Sequence, residues 1–193
     1  YLTTLAFGVP FIQLQQLVIS QHLGTEQAGL YAAVALLAGL ITIANPASVL
    51  RKVVEPLMVE RYYNSQRREV LQQAFSLLLR ISLLTSLPFV AAVWSAGADV
   101  VVLVFGAAYD NGFQVLVLLA VGQVFMAGNA AFAPIISVLE KKEITALSGI
   151  FIIVNIVLSA VLVREEGLVG VAFALILTGL GNWLYFYYTV SMI

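Results

Sequence analysis

The chain has 193 residues, of which 62% are hydrophobic and only 10% are charged, and its mean hydropathy is +1.02. A soluble domain of this length needs far more charge to keep its surface hydrated, so the composition predicts a polytopic membrane protein. A net charge of −1 without a basic stripe gives no sign of a nucleic-acid partner, and the absence of cysteine excludes disulfides, thiol catalysis and cysteine-ligated metals.

Six apolar segments are long enough to cross a hydrocarbon core about 30 Å thick, which takes roughly 20 residues of helix. They predict spans at about residues 1–19, 28–50, 73–94, 113–138, 144–163 and 168–190. We therefore expect an all-α fold, with residues 1–193 forming a single six-helix transmembrane bundle. The chain opens YLTTLAFG, with neither Met nor a basic leader, so we also expect it to be part of a longer protein.

Two of the connections carry turn signals. QHLGTEQAG follows span 1, and Thr25 is the predicted N-cap of the next helix. The strip ADVVVLVF after span 3 is apolar but too short to cross, so it predicts a small interfacial helix. Gly106 or the run Asp110–Gly112 is expected to end that helix by ordinary turn chemistry.

Lys and Arg are distributed unevenly between the two ends of the predicted bundle. Five lie in the charged stretch 51–70 and two in the turn EKKE at 140–143, whereas the other end has only Arg164, in the turn REEG at 164–167. Loops rich in Lys and Arg stay cytoplasmic. The bias predicts a multi-pass protein of the cytoplasmic (plasma) membrane with both ends of this segment on the cytoplasmic side.

Residue types that carry out catalysis are not brought together by the sequence. His22 is the single histidine, no acidic pair falls within a span, and Glu165 and Glu166 sit in a turn. The pattern shows neither a cluster of metal ligands nor a phosphate-binding glycine loop. We therefore expect the protein not to be an enzyme and to need no cofactor, and we interpret Asp110 as a turn residue.

Polar residues inside the predicted spans are the candidates for binding. Arg80 is the one cation within a span, about 9 Å deep if the helix begins near residue 74. It either snorkels to the interface or contacts an anionic group in a cavity, where a guanidinium can bind phosphate oxygens in pairs. Gln13 and Gln16 share a face of span 1, which indicates helix packing and a hydrated wall equally.

Several other residues mark interruptions or close packing within spans. Asn45 interrupts the end of span 2 and Asn129 interrupts span 4, and both are candidates to face a cavity. Asn155 and Asn182 are interpreted as amides that bond to neighbouring helices. Small-residue spacings, among them Ala35-xxx-Gly39 and Gly170-xxx-Ala174, indicate only that helices approach closely.

Three stretches resemble the second half of prokaryotic polysaccharide flippases. They are GTEQAGLYAAVALLAGL at 24–40, VVLVFGAAYDNGFQVLVLLAVGQV at 101–124 and the run 151–185 that contains GLVGVAFALILTGLGNW. This family is a branch of the superfamily that also holds multidrug exporters and peptidoglycan-precursor flippases. The resemblance covers nearly the whole chain, as the C-terminal six-helix half of a twelve-helix transporter.

The resemblance implies a two-lobed transporter that flips polyprenyl-diphosphate-linked oligosaccharides across the membrane by alternating access. Its implied partners are the lipid-linked substrate, membrane lipid, and a missing N-terminal lobe or a second copy. Cationic residues of such cavities contact the diphosphate or acidic sugars, which points to Arg80 in the span and to Arg51 and Lys52 at the cytoplasmic mouth. The resemblance leaves open whether protons or sodium ions drive the cycle.

Two alternatives to a flippase half remain open from the sequence. One is a cation-coupled multidrug exporter of the same superfamily, which would be favoured by an acidic residue deep in a span. The other is a non-transporting membrane scaffold subunit, which would be favoured by a homo-oligomer without a hydrated cavity.

Overall fold

The computed structural model describes residues 14–65, 67–139 and 142–191. The described residues form helices and turns and no strand, which confirms the predicted all-α class. The α-helices are α1 (residues 14–23), α2 (Thr25–Ile43), α3 (Pro46–Ser65), α4 (Arg68–Phe105), α5 (Phe113–Gly128), α6 (Ala133–Val138), α7 (Lys142–Ser148) and α8 (Ile150–Ser191). Short 3₁₀ helices at Ala107–Gly112 and Asn129–Ala131 precede and follow α5.

Four stretches of the described residues are long and apolar enough to cross a membrane. They are Thr25–Ile43, Glu69–Phe105, Tyr109–Ile136 and Ala146–Thr189. The first three overlap predicted spans 2, 3 and 4, and the last covers most of predicted spans 5 and 6. Most of predicted span 1, residues 1–13, lies outside the described residues. Helix length and composition together support insertion into a membrane.

The longest helix, α8, reverses direction at Gly167. The backbone there is non-helical, with φ 62° and ψ −138°, a region that residues with a side chain adopt only under strain. Asn155 Nδ2 lies 2.8 Å from Thr178 Oγ1, although the two residues are 23 positions apart. That separation would be about 35 Å along a straight helix, so the chain folds back on itself.

We name the two halves of this hairpin α8a (150–166) and α8b (168–191). The ring of Phe151 near the start of α8a lies 6.0 Å from that of Tyr185 near the end of α8b, which shows that the halves run antiparallel. The predicted reversal in the REEG turn at 164–167 is thereby confirmed, with Gly167 as the residue that makes it.

Connections of the bundle gather at two opposite ends. One, called the turn end, holds Gly24, the segment 106–112 and Gly167. At the turn end a buried core joins five helices through Ile19, Leu30, Tyr31, Val34, Val101, Val115, Leu116, Val163 and Val171. The other, called the basic end, holds α3, α6 and α7. There Phe132 packs its ring against Phe75 at 4.9 Å and Phe186 at 5.5 Å.

Predicted span 2 is wrong at its C-terminal end, because α2 stops at Ile43 rather than near residue 50. Pro46 lacks an amide hydrogen and cannot continue a helix, but it suits the first position of a new one. Most of the charged stretch 51–70 is accordingly not a loop but helix α3. Asn45 caps that helix, with its Oδ1 accepting a hydrogen bond from Ala47 N at 2.9 Å.

The predicted interfacial helix ADVVVLVF is also wrong, because it is the continuous end of α4. No proline or cap interrupts the chain there, and Gly97 packs inside the helix, where an added Cβ would lie 3.2 Å from the Phe113 ring. Gly106, with φ 93°, ends α4 as predicted. At about 1.5 Å per residue, the 38 residues of α4 extend about 57 Å, far more than a hydrocarbon core of about 30 Å requires.

Thr25 is not the N-cap of α2, since Gly24 occupies that position with φ 89° and Thr25 is already helical without a capping bond. The contrast with Asn45 makes a matched pair of variants. We expect Asn45→Ala to lower the free energy of unfolding by about 1 to 2 kcal/mol through loss of the α3 cap, and Thr25→Ala to have little effect. Thermal unfolding in detergent checks both, and equal shifts for the two variants would contradict the capping role.

Candidate functional site

Helix α4 has two faces of different chemistry. The face toward the bundle carries the buried residues Leu71, Leu78, Ser82, Ser86 and Val101. The outward face at the basic end is polar, with Glu69, Gln72, Gln73 and Arg80 exposed and Ser76 half-buried. Because residues three and four apart line up along a helix, these side chains form one continuous row, here called the polar stripe.

The polar stripe forms a shallow groove of about 500 Å³. Its lining residues are Glu69, Gln72, Gln73, Ser76, Leu77 and Arg80. All of these belong to the outward face of α4, so the groove opens sideways from the bundle and does not lead into its core. Arg80 and Glu69 mark its two ends, about 16 Å apart along the helix, and exposed charges at that distance are largely screened from each other.

Aromatic residues indicate how deep Arg80 lies in a membrane. Phe75 is level with Phe132 and Phe186, and two exposed tyrosines directly follow Phe186 in α8b. At the other end of α4, Trp94 is 71% exposed. Trp and Tyr gather at membrane interfaces, and Trp94 lies about 28 Å along α4 from Phe75, whose level is that of the two tyrosines; this is close to the thickness of a hydrocarbon core. On this scale Arg80 lies about 7.5 Å from the interface at the basic end, toward the middle of the membrane.

An exposed arginine at that depth needs a polar partner or a route to water. A charge near the middle of a bilayer costs about 3 kcal/mol or more, and long side chains reduce the cost by reaching toward the interface. The groove offers such a route, since Ser76 and Gln73 lie one and two turns nearer the basic end. A guanidinium held at this level can donate paired hydrogen bonds to phosphate oxygens.

The other predicted cations lie at the basic end but outside the groove. Arg51 is half-buried on α3 and its Nε lies 3.2 Å from Glu55 Oε2, an ion pair within one helical turn. Lys52 is exposed on the same helix. Neither belongs to the groove lining formed by the described residues. The structure therefore places Arg51 and Lys52 at the basic end, but not in the groove that Arg80 lines.

The two predicted asparagines at helix interruptions lie at one level, on either side of α4. Asn45 Nδ2 donates to Ser82 Oγ at 3.3 Å, and Ser82 Oγ donates to Ala127 O at 3.4 Å, just before Asn129. Asn45 is only 2% exposed and serves as the α3 cap, so its contacts are those of a structural residue. Asn129 starts the 3₁₀ helix, and its buried Oδ1 has no hydrogen-bond partner among the residues that the structure describes.

A buried polar network is centred on Asn155, which was predicted to bond between helices, and on Gln15, which was not predicted. Gln15 Nε2 donates to Asn155 Oδ1 at 2.7 Å, and Gln15 Oε1 accepts from the Tyr31 hydroxyl at 3.2 Å. Asn155 Nδ2 donates in turn to Thr178 Oγ1 at 2.8 Å. The network joins α1, α2, α8a and α8b, which confirms Asn155 as an amide that bonds between helices.

The glutamines predicted to face a cavity are not those of the network. Gln16 is half-buried, and Gln13 lies outside the described residues. The signal was present in QLQQ, because Gln15 falls one turn before Ile19, which is fully buried. Asn182 does not repeat the behaviour of Asn155, since its buried Oδ1 has no partner within the described residues.

The described residues contain no group of three or more side chains suited to hold a metal ion. The groove offers one exposed guanidinium near the basic end of α4, beside a hydrogen-bonded core. It can bind an anionic group from the side of the bundle. Comparisons with protein-family models, with curated protein sequences and with solved structures find no significant match for this chain.

Proposed function

We propose that the chain is one six-span lobe of a transporter that moves polyprenyl-diphosphate-linked oligosaccharides across the cytoplasmic membrane by alternating access. A second lobe, or a second copy, completes the transporter. The observation that carries the proposal is the polar stripe of α4, which ends on Arg80 inside the membrane-crossing length and points away from the lobe's own core. Lipid tails do not solvate such a face, whereas a phosphate-bearing substrate does.

The hairpin at Gly167 supports the count of six spans. It turns the single stretch Ala146–Thr189 into two membrane-length passes. The helices α2, α4 and α5 supply three more, and α1 ends at the same turn end at which α2 begins. A sixth pass then requires only that α1 extends upstream into the residues predicted for span 1.

The buried network supports motion of the lobe as a unit. Alternating access in repeat-built transporters is largely the rocking of one rigid bundle against another. Gln15, Asn155 and Thr178 connect helices across the bundle, so relative sliding of these helices would break several buried hydrogen bonds. A closed core with the binding groups on its outside is what a rocking lobe needs.

The two alternatives are less well supported by the geometry. A cation-coupled multidrug exporter is disfavoured because no Asp or Glu is among the buried residues of the described part. The scaffold hypothesis is favoured by the position of the groove, which does not enter the core. It does not explain why an exposed arginine lies inside the span.

The test uses the full native protein in proteoliposomes with a fluorescent polyprenyl-diphosphate oligosaccharide. We expect flipping by the wild-type protein, a fall of about 10-fold or more for Arg80→Ala, and partial activity for Arg80→Lys, because a charged hydrogen bond contributes about 1.5 to 3 kcal/mol. Arg67→Ala is the matched control, since Arg67 is exposed at the start of the same helix and outside the groove.

Two results would overturn the proposal. Absence of flipping by an inserted, folded wild-type protein with both lobes would rule out the transporter. Equal flipping by the Arg80→Ala and Arg67→Ala proteins would remove the polar stripe from the mechanism.

A further inference from the structure

The outward face of α4 continues beyond Arg80 toward the turn end, and there it becomes apolar. The exposed residues in helical register with the polar stripe are Leu83, Leu84, Leu87, Ala91 and Trp94. We call this row the apolar stripe; it is about 16 Å long. This helix face is thus polar at the basic end and apolar from Leu83 onward, with Arg80 at the boundary and Pro88 within the apolar part.

We propose that this face binds one phosphate-bearing lipid of the inner leaflet, with its phosphate on Arg80 and an acyl or prenyl chain along the apolar stripe. The site is lateral: it lies on the outside of the lobe and faces the bilayer. The claim that this lipid is the transported substrate rests on the proposed function, in which the substrate first binds to this face. The binding itself needs only the geometry of α4.

The chemistry of the groove favours a lipid phosphate over a free anion. Arg80 lies about 7.5 Å inside the membrane from the interface at the basic end, on the scale set by Phe75 and Trp94, so a free anion that enters the groove gives up part of its hydration to reach it. Glu69 places a negative charge at the end of the groove that is nearest the water, where it repels free anions. A lipid already carries its phosphate in the interfacial layer, so it needs only a short displacement along the groove.

Neighbouring polar groups suit the rest of a headgroup. Ser76 lies one turn from Arg80 toward the basic end, and Gln73 follows about one turn further on the same face. A hydroxyl and an amide can both donate to phosphate oxygens and can pair with sugar hydroxyls. Leu77 is the one apolar residue of the lining, and it lies about one turn from Arg80 toward the basic end.

The experiment measures lipid binding to the full native protein in neutral detergent by native mass spectrometry. The probes are dioleoyl phosphatidic acid, dioleoylglycerol with the same chains but no phosphate, and inorganic phosphate. We expect one retained phosphatidic acid, little dioleoylglycerol, and no displacement by millimolar phosphate. Arg80→Ala and Arg80→Gln should weaken phosphatidic acid binding by about 10-fold, Arg80→Lys should weaken it less, and Arg67→Ala should leave it unchanged.

Each other outcome counts against a stated part of the inference. Phosphatidic acid binding that is unchanged in both Arg80→Ala and Arg80→Gln overturns the site. Absence of any retained phosphatidic acid on the wild-type protein, as expected if the second lobe covers this face, also overturns it. Displacement by inorganic phosphate overturns the lipid assignment. Flipping without Arg80-dependent lipid binding refutes this inference but not the proposed function. Arg80-dependent lipid binding without flipping refutes the proposed function but not this inference.

Discussion

Replacement of Gly170 by alanine should open the α8 hairpin and destabilise the bundle. A Cβ at this position would lie 2.5 Å from Leu162 O and 2.8 Å from Leu162 C, so it would collide with backbone and not with a movable side chain. The two halves of the hairpin can accommodate it only by separating near their turn. Overpacking of this kind costs about 1 to 3 kcal/mol, and the rigid partner places Gly170→Ala at the upper end of that range.

Gly39→Ala is the matched control for this prediction. Gly39 lies inside a membrane-crossing helix like Gly170, but an added Cβ there meets no atom within 4 Å. Alanine also favours helix over glycine by about 1 kcal/mol, so we expect no loss of stability. Unfolding midpoints in detergent and the yield of inserted protein measure the difference. A midpoint for Gly170→Ala equal to that of Gly39→Ala would show that the hairpin is looser than the Leu162 contact implies.

These two glycines show what a spacing pattern leaves undetermined. Ala35-xxx-Gly39 and Gly170-xxx-Ala174 are alike in sequence, and both predict close helix packing. Only Gly170 lies against a neighbouring backbone. The pattern records where an approach is sterically allowed, whereas the approach itself depends on which helix face the rest of the bundle covers.

The membrane-length apolar runs and the reversals at Gly106 and Gly167 were predictable, because length and glycine conformation are local properties. The course of residues 46–65 was not. Their charge indicates a solvated segment, but Met58 is buried with Leu71 and Ile135, and that contact stabilises α3 as a helix. The continuity of α4 was not predicted either, because a span of membrane length was expected to end near residue 94, although no proline or cap interrupts the chain from there to Phe105.

The candidate site was partly predictable for the same reason. Arg80 could be identified because a lone charge in an apolar run is visible without a structure. Its neighbours Gln73 and Ser76 could not be assigned to a groove until α4 was known to begin at Arg68 and to expose that face. Gln15 shares the face of α1 that carries buried Ile19, which the helical spacing indicates, but its partner Asn155 lies in a distant part of the chain and could not be predicted.

Loss of the Asn155 amide should be the second large effect. Asn155 accepts from Gln15 and from Ser159, the latter at 3.5 Å, and it donates to Thr178. Asn155→Ala leaves these buried groups without their shared partner between helices. An interhelical hydrogen bond within a membrane contributes about 0.6 kcal/mol on average and up to about 1.7. Because two such bonds are lost together with the bond from Ser159, we expect a fall of about 2 kcal/mol in the free energy of unfolding.

Asn182→Ala separates the loss of hydrogen bonds from the loss of a buried amide. Both asparagines belong to the α8 hairpin, but the Asn182 Oδ1 is buried without a partner among the described residues. Removing an unpaired acceptor relieves a desolvation cost, so Asn182→Ala should be neutral or slightly stabilising. Denaturant titration of both variants in the same detergent measures the contrast. Equal destabilisation would mean that side-chain volume, and not the hydrogen-bond network, holds these helices together. The network would then no longer support the proposal that the lobe moves as one body.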